Sequence, residues 1–186
     1  MKKILFVFIL FSGVKIAEAQ SLKKLLKDTL IWSATDTLQM EDFQGKVKRN
    51  TGGQTSSALY YYMKEMDGTL KLVVEALFIK KKSALLENSA YALKHEQGHF
   101  DLTEIAARRL RKLIAEKDWT KVKNMGDVVK KMYVRVYNEW TREQDKYDNE
   151  TQHGLNAARQ EIWNAKLAAE LKELEQYATA AVDIRQ

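Results

Sequence analysis

Hydrophobic positions along the chain first form a short unbroken run, then alternate in twos, then recur in threes and fours. The run extends from Ile4 to Val14, interrupted only by Ser12 and Gly13. Lys2 and Lys3 precede it, and Ala17-Glu18-Ala19, a small-x-small pattern, follows it. These are the parts of a secretory signal peptide cut after Ala19. Residues 1–19 are therefore expected to be removed, and residues 20–186 to form one domain. The run is too short to span about 30 Å of hydrocarbon, and no later segment is apolar enough. The processed chain is expected to be periplasmic or extracellular, with no integral membrane span.

Ser21 to Asp28 is short, basic and amphipathic, and reads as a leading helical turn or a loose arm. Leu30-Ile31-Trp32 has strand character, and Asn50-Thr51-Gly52-Gly53 is loop-like. Two strand-prone runs follow, Ala58 to Met63 and Leu70 to Ile79. Asp67-Gly68 between them predicts a tight hairpin turn, because Gly tolerates the positive φ such turns need. After Lys80-Lys81-Lys82 the period becomes helical. The spacing predicts three helices, over about 89–116, 126–147 and 155–181. Their apolar stripes run through Leu93, Phe100 and Leu110, then Val129, Val136, Trp140 and Tyr147, then Ile162, Trp163, Leu167, Leu171, Leu174 and Ala178. An unbroken helix across the last two would be about 75 Å long, and Asp148 to Gly154 is rich in cap residues, so a break is expected there. The pattern predicts an α+β fold, a small antiparallel sheet or hairpin packed on three long helices.

Composition sharpens the picture by exclusion. With 45% hydrophobic and 30% charged residues the chain is of globular type. Zero Cys excludes a disulfide scaffold, a thiolate metal site and a Cys nucleophile, and zero Pro suits long helices. The formal charge is +6, with basic clusters at Lys23-Lys24, Lys80-Lys81-Lys82 and Arg108-Arg109-Arg111-Lys112. The aromatic residues lie on helical stripes, as core residues do, so no nucleic-acid partner is expected. Weak attraction to anionic envelope polymers is the milder reading of that charge.

The chemistry concentrates in His95-Glu96-Gln97-Gly98-His99. Histidines at i and i+4 of a helix share one face and can chelate one Zn²⁺, while Glu96, about 100° round, can reach a metal-bound water. This is the HExxH arrangement of zinc metallopeptidases. A catalytic zinc site wants three protein ligands. Asp101 and Glu104 turn away from the metal face, and they read either as solvated charges near Arg108 and Arg111 or as supports for the helix. His153, at the expected helix break, is the candidate third ligand. Glu150 is the next, and Asp148 could instead accept the free ring N–H of a ligand His.

The segments KHEQGHFDLTEIAARRLRK (Lys94 to Lys112) and QDKYDNETQHGLNAARQEIW (Gln144 to Trp163) resemble a bacterial family of unknown function described as secreted zinc-dependent proteases. The matching positions are His95, Glu96, His99, Phe100, Asp101 and Glu104, then Tyr147, Asp148, Thr151, His153 and Gly154. Trp32, Asp42-Phe43-Gln44-Gly45 and Phe78 are also similar to its N-terminal part, and the chain departs from its pattern at Ala84. The resemblance covers most of the processed chain. It implies a zincin-like metallopeptidase architecture and a His where His153 stands.

These readings give a specific expectation. Zn²⁺ is held by His95, His99 and His153, Glu96 is the general base, and Tyr147 is the candidate oxyanion group. The Leu70–Ile79 strand lies beside the site and pairs with an extended peptide or protein substrate. The alternative is a non-enzymatic envelope-associated binding protein with a structural or vestigial metal. A hydrolase acting on a non-peptide amide of the envelope would share the same metal chemistry.

Overall fold

A computed structural model describes residues 28–46, 53–85 and 89–184. The expected signal peptide, the basic stretch over 21–27 and residues 50–52 of the expected loop lie outside the described residues. Among the described residues there are six strands: β1 (Thr29–Ile31), β2 (Gly53–Gln54), β3 (Ser57–Met66), β4 (Thr69–Ile79), β5 (Ala84–Leu85) and β6 (Ala181–Asp183). Three long helices follow the hairpin: α1 (Ala90–Ala115), α2 (Met125–Thr151) and α3 (Ala157–Glu173). The α+β class expected from the pattern is the class observed.

The β3–β4 hairpin turns at Asp67 and Gly68, both with positive φ (53° and 71°), and pairs Met66 with Thr69 through to Ser57 with Phe78. Two positive-φ residues are what a right-twisted two-residue hairpin requires. β4 is the centre of the main sheet. β3 lies along one edge, while β1 and β6 lie end to end along the other. Backbone bonds from Trp32 N–H to Ala76 C=O and from Val74 N–H to Ala180 C=O fill the gap between them. This corrects one expectation. Both edges of β4 are occupied by the chain itself, so the Leu70–Ile79 strand has no free edge for a substrate.

One sheet face carries Leu59, Leu72, Val74, Ala76 and Phe78 into a core shared with Phe100, Ile105, Leu110 and Ile114 of α1 and Val136, Trp140, Trp163 and Leu167 of the other helices. α1 is central, touching sheet, α2 and α3. Its N-cap is Ser89, whose side chain accepts from Ala92 N–H. Asn124 and Asn156 cap α2 and α3 in the same way.

Two features of the C-terminal region differ from the periodicity reading. α3 ends at Glu173, and the chain then turns back and adds β6 to the sheet. Buried arginines of α1 explain this. Arg108 donates to Leu171 C=O, and Arg111 Nη1 donates to the carbonyls of Tyr177 and Ala178. Ile162, placed on the apolar stripe, is 58% exposed, because the buried face of α3 runs through Gln160, Trp163 and Leu167. Ala178 of the same stripe lies beyond the helix and is also exposed.

The same arginines decide between the two readings of Glu104. Glu104 accepts from Arg108 Nε and from Arg111 Nη1, and all three side chains are buried. Arg111 also donates from Nε and Nη2 to Val74 C=O. Asp101 accepts from Trp32 Nε1 and Gln97 Nε2, which ties the segment after β1 to the outer side of α1. Both acids are supports for this helix, not solvated charges.

Candidate metal centre

His95, Glu96 and His99 lie in the first half of α1 and are all buried. Helical spacing alone brings the two imidazoles within 4.9 Å, centroid to centroid. The third member of the cluster is Asp148, one turn before the end of α2. Its Oδ1 lies 2.9 Å from His99 Nε2 and 3.4 Å from His95 Nε2. His95, His99 and Asp148 form a buried group that could hold a metal ion.

α2 ends where the sequence places the break. Gln152, His153 and Gly154 have successive φ of 53°, 54° and 85°, a left-handed turn closed by His153 N–H to Asp148 C=O. This turn carries Gly154 under His95. A Cβ at position 154 would stand 3.0 Å from His95 Cγ, so only Gly permits the approach. The turn also places His153 at the rim. The His153 side chain is 74% exposed, and its Nδ1 lies 3.5 Å from the same Asp148 oxygen. Three imidazoles thus surround one carboxylate oxygen, two from within and one from the solvent side. Glu150, the other candidate ligand, accepts from Trp163 Nε1 and lies outside the buried group.

The second nitrogens of the buried histidines are also engaged. His95 Nδ1 is 2.9 Å from Gln160 Oε1, and His99 Nδ1 contacts Gln144 Oε1. Gln144 is oriented by its own Nε2–H bond to His99 C=O. Amide carbonyls on both Nδ1 atoms leave the Nε2 atoms to face Asp148, the pattern seen when a second shell aims histidine ligands. Burial opposes charging of His99, but the adjacent Asp148 carboxylate, then Glu96, outweigh it and hold its pKa above the usual value.

Glu96 sits between α1 and β2. Thr55 Oγ1 donates to its backbone carbonyl, and Gly53 approaches its carboxylate so closely that a Cβ would stand 2.3 Å from Oε1. Glu96 Oε2 is buried and has no hydrogen-bond partner among the described residues. A buried carboxylate oxygen without a partner is costly, and it marks a place where a water or ion belongs.

Tyr147 is fully buried behind the histidines. Its ring stacks on His95 at 4.8 Å and 16°, and its hydroxyl donates to His95 C=O while accepting from Gln160 Nε2. Burial raises its pKa. The hydroxyl expected to face a developing oxyanion therefore faces the backbone of α1. Gln144 and Gln160 were not singled out by sequence reasoning. Amide residues on helices carry no motif signal, and only the helix packing reveals their partners.

A family model described as a bacterial protein of unknown function (DUF922) matches residues 85–154. The matched segment begins in β5 and ends at the glycine beneath His95. It therefore includes His95, Glu96, His99, Asp148 and His153, and it stops before α3. No curated protein and no solved structure matches the chain.

Proposed function

We propose that the chain is an exported zinc-dependent peptidase. The observation that carries this reading is the convergence of His95 Nε2, His99 Nε2 and Asp148 Oδ1 beside a Glu96 carboxylate oxygen that is buried without a partner. The donor set fits Zn²⁺, which favours imidazole and carboxylate ligands in buried, hydrogen-bonded settings. His95, His99 and Asp148 would hold the ion, with His153 closing the site from the solvent side. A bound Zn²⁺ supplies Lewis acidity and lowers the pKa of a water.

The remaining roles belong to the chain's own groups. Glu96 Oε2 accepts the proton of the attacking water and returns it to the leaving amine. Gly53 and Thr55 hold that carboxylate and its backbone in place. Gln144 fixes the orientation of His99. The signal-peptide pattern over residues 1–19 supports export, and the substrate class is peptide or protein. The test is a zinc-supplied digest of a mixed peptide library, read by mass spectrometry, for wild type and Glu96→Gln. Wild type is expected to cleave, and Glu96→Gln to keep zinc while losing at least about 100-fold in rate, the scale of a lost general base. Full activity in Glu96→Gln would end the proposal.

One observation favours the second reading, a non-enzymatic envelope protein with a structural metal. His95, Glu96 and His99 are 4%, 4% and 8% exposed, and catalysis needs an open coordination position. Stoichiometric zinc with no cleavage of any peptide would select that reading.

A further inference from the structure

Four side chains behind His95 form a hydrogen-bonded chain whose direction is fixed at one end. Glu161, a carboxylate that accepts from Lys94 Nζ at 3.1 Å, also accepts from Asn164 Nδ2 at 3.1 Å. That leaves Asn164 Oδ1 facing Gln160, where it accepts from Gln160 Nε2 at 3.0 Å. The other N–H of Gln160 goes to the Tyr147 oxygen at 2.6 Å, because the single hydroxyl proton of Tyr147 is donated to His95 C=O. Gln160 Oε1 is then the group left facing His95 Nδ1, at 2.9 Å. Turning the Gln160 amide over would set its oxygen against Asn164 Oδ1. Turning Asn164 as well would set its oxygen against the Glu161 carboxylate. An acceptor facing an acceptor is a repulsive contact, so the chain has one polarity.

We propose that Gln160, held by Tyr147 and Asn164, is a positioning residue that keeps the proton of His95 Nδ1 directed at its own Oε1 and so turns Nε2 toward the cluster with His99 and Asp148. Gln160 and Asn164 lie on α3, beyond the segment that the family model matches. The site in this chain is therefore completed by a helix outside that segment. Tyr147 acts in the lock through Gln160 and the backbone of α1. The tautomer assignment stands on the hydrogen bonds alone, whereas its consequence for zinc rests on the proposed metal centre.

The experiment is long-range ¹H–¹⁵N correlation of the histidine rings in the ¹⁵N-labelled protein, stripped of metal, at mildly alkaline pH, followed by zinc titration. His95 is expected to show a protonated Nδ1 throughout, with Nε2 free of a proton once zinc is bound, while exposed His153 averages between tautomers. Gln160→Met, close in shape but without an acceptor, is expected to lose the single tautomer of His95 and to weaken zinc binding about 10–100-fold. Gln160→Glu keeps the acceptor for Nδ1 while exposed Glu161 lets the Asn164 amide turn to donate to it, and it is expected to keep the Nδ1 proton of His95. A wild-type His95 that carries its proton on Nε2 alone overturns the proposal. So does a folded Gln160→Met with wild-type tautomer and zinc affinity. Should Gln160→Met fail to fold, the wild-type spectrum and Gln160→Glu decide. A locked Nδ1–H tautomer in a protein that takes up no zinc supports the lock and sinks the metal reading instead.

Discussion

The hydroxyl of Tyr147 occupies the space that a side chain on Gly98 would need. A Cβ at position 98 would stand 2.3 Å from the Tyr147 oxygen and 2.8 Å from Cζ. Gly98 is the residue before the second histidine of the motif, so the absence of a side chain there lets α2 press an aromatic ring against both imidazoles. Helix propensity alone favours Gly98→Ala by up to about 1 kcal/mol. The packing predicts the opposite sign, because Tyr147 is fully buried and its ring cannot swing away. Overpacking of this kind costs about 1–3 kcal/mol. Gly98→Ala is expected to lower Tm by several degrees in a thermal melt, and a raised Tm would refute the close approach.

Asp148 is the hub of three imidazole contacts, which separates its role from that of His153. Asp148 is largely buried and its oxygen touches both inner histidines, whereas His153 is three-quarters exposed. Asp148→Ala is expected to weaken zinc binding by about 100-fold or more, and His153→Ala by about 10-fold, within the range of lost ligands and supporting groups. Competition with a chromogenic chelator measures both. Equal losses, or a larger loss for His153→Ala, would make His153 the third principal ligand and Asp148 its support.

The Glu104–Arg111 pair is a structural counterpart on the opposite side of α1. Arg111 joins Glu104, the central strand at Val74 and the turn before β6 at Tyr177 and Ala178. Arg111→Met leaves a buried carboxylate short of a partner and several carbonyls without donors. Such losses cost about 3–5 kcal/mol, on the order of 10 °C in Tm for a chain of this size. Arg111→Lys is expected to recover little, since an ammonium lacks the planar fork that reaches Val74 and Glu104 together. A Lys variant as stable as wild type would show that only the charge is needed.

Local signals account for what the sequence revealed. The Asp67-Gly68 turn, the α1 boundaries and the break within Asp148–Gly154 each rest on a turn residue, a cap or a change of period, and each lies where the sequence puts it. The HExxH spacing gave two members of the buried group because one helix fixes both. The rest depended on packing between distant segments. The sequence offers His153 and then Glu150 for the third position and Asp148 as a support, and only the left-handed turn shows how Asp148 and His153 reach one point. Gln160 reads as an ordinary helix residue until Tyr147 and His95 surround it. β6 was hidden because α3 is stopped not by Gly or Pro but by arginines some sixty residues earlier.

The last prediction concerns Glu75, on the sheet face away from the helical core. It pairs across strands with Tyr60, and the hydroxyl of Tyr62 and the charges of Lys64 and Arg111 also bear on it. Burial raises its pKa above the usual 4.5. Attraction to Arg111, then to Lys64, and the Tyr62 hydrogen bond work the other way without cancelling that rise. The folded state therefore binds a proton that the unfolded chain has already released. The stability that the protonated form supplies is fully present below the unfolded pKa, and it is lost as pH rises through the folded value. Glu75→Gln mimics the neutral form at every pH. It is expected to match wild type near pH 4 and to exceed it at pH 7 by a few degrees in Tm, at about 2–4 °C per kcal/mol. Melts of both proteins across that range test the sign. A neutral-pH Tm below wild type would mean that Arg111 and Lys64 outweigh burial, and that Glu75 is a stabilising charge.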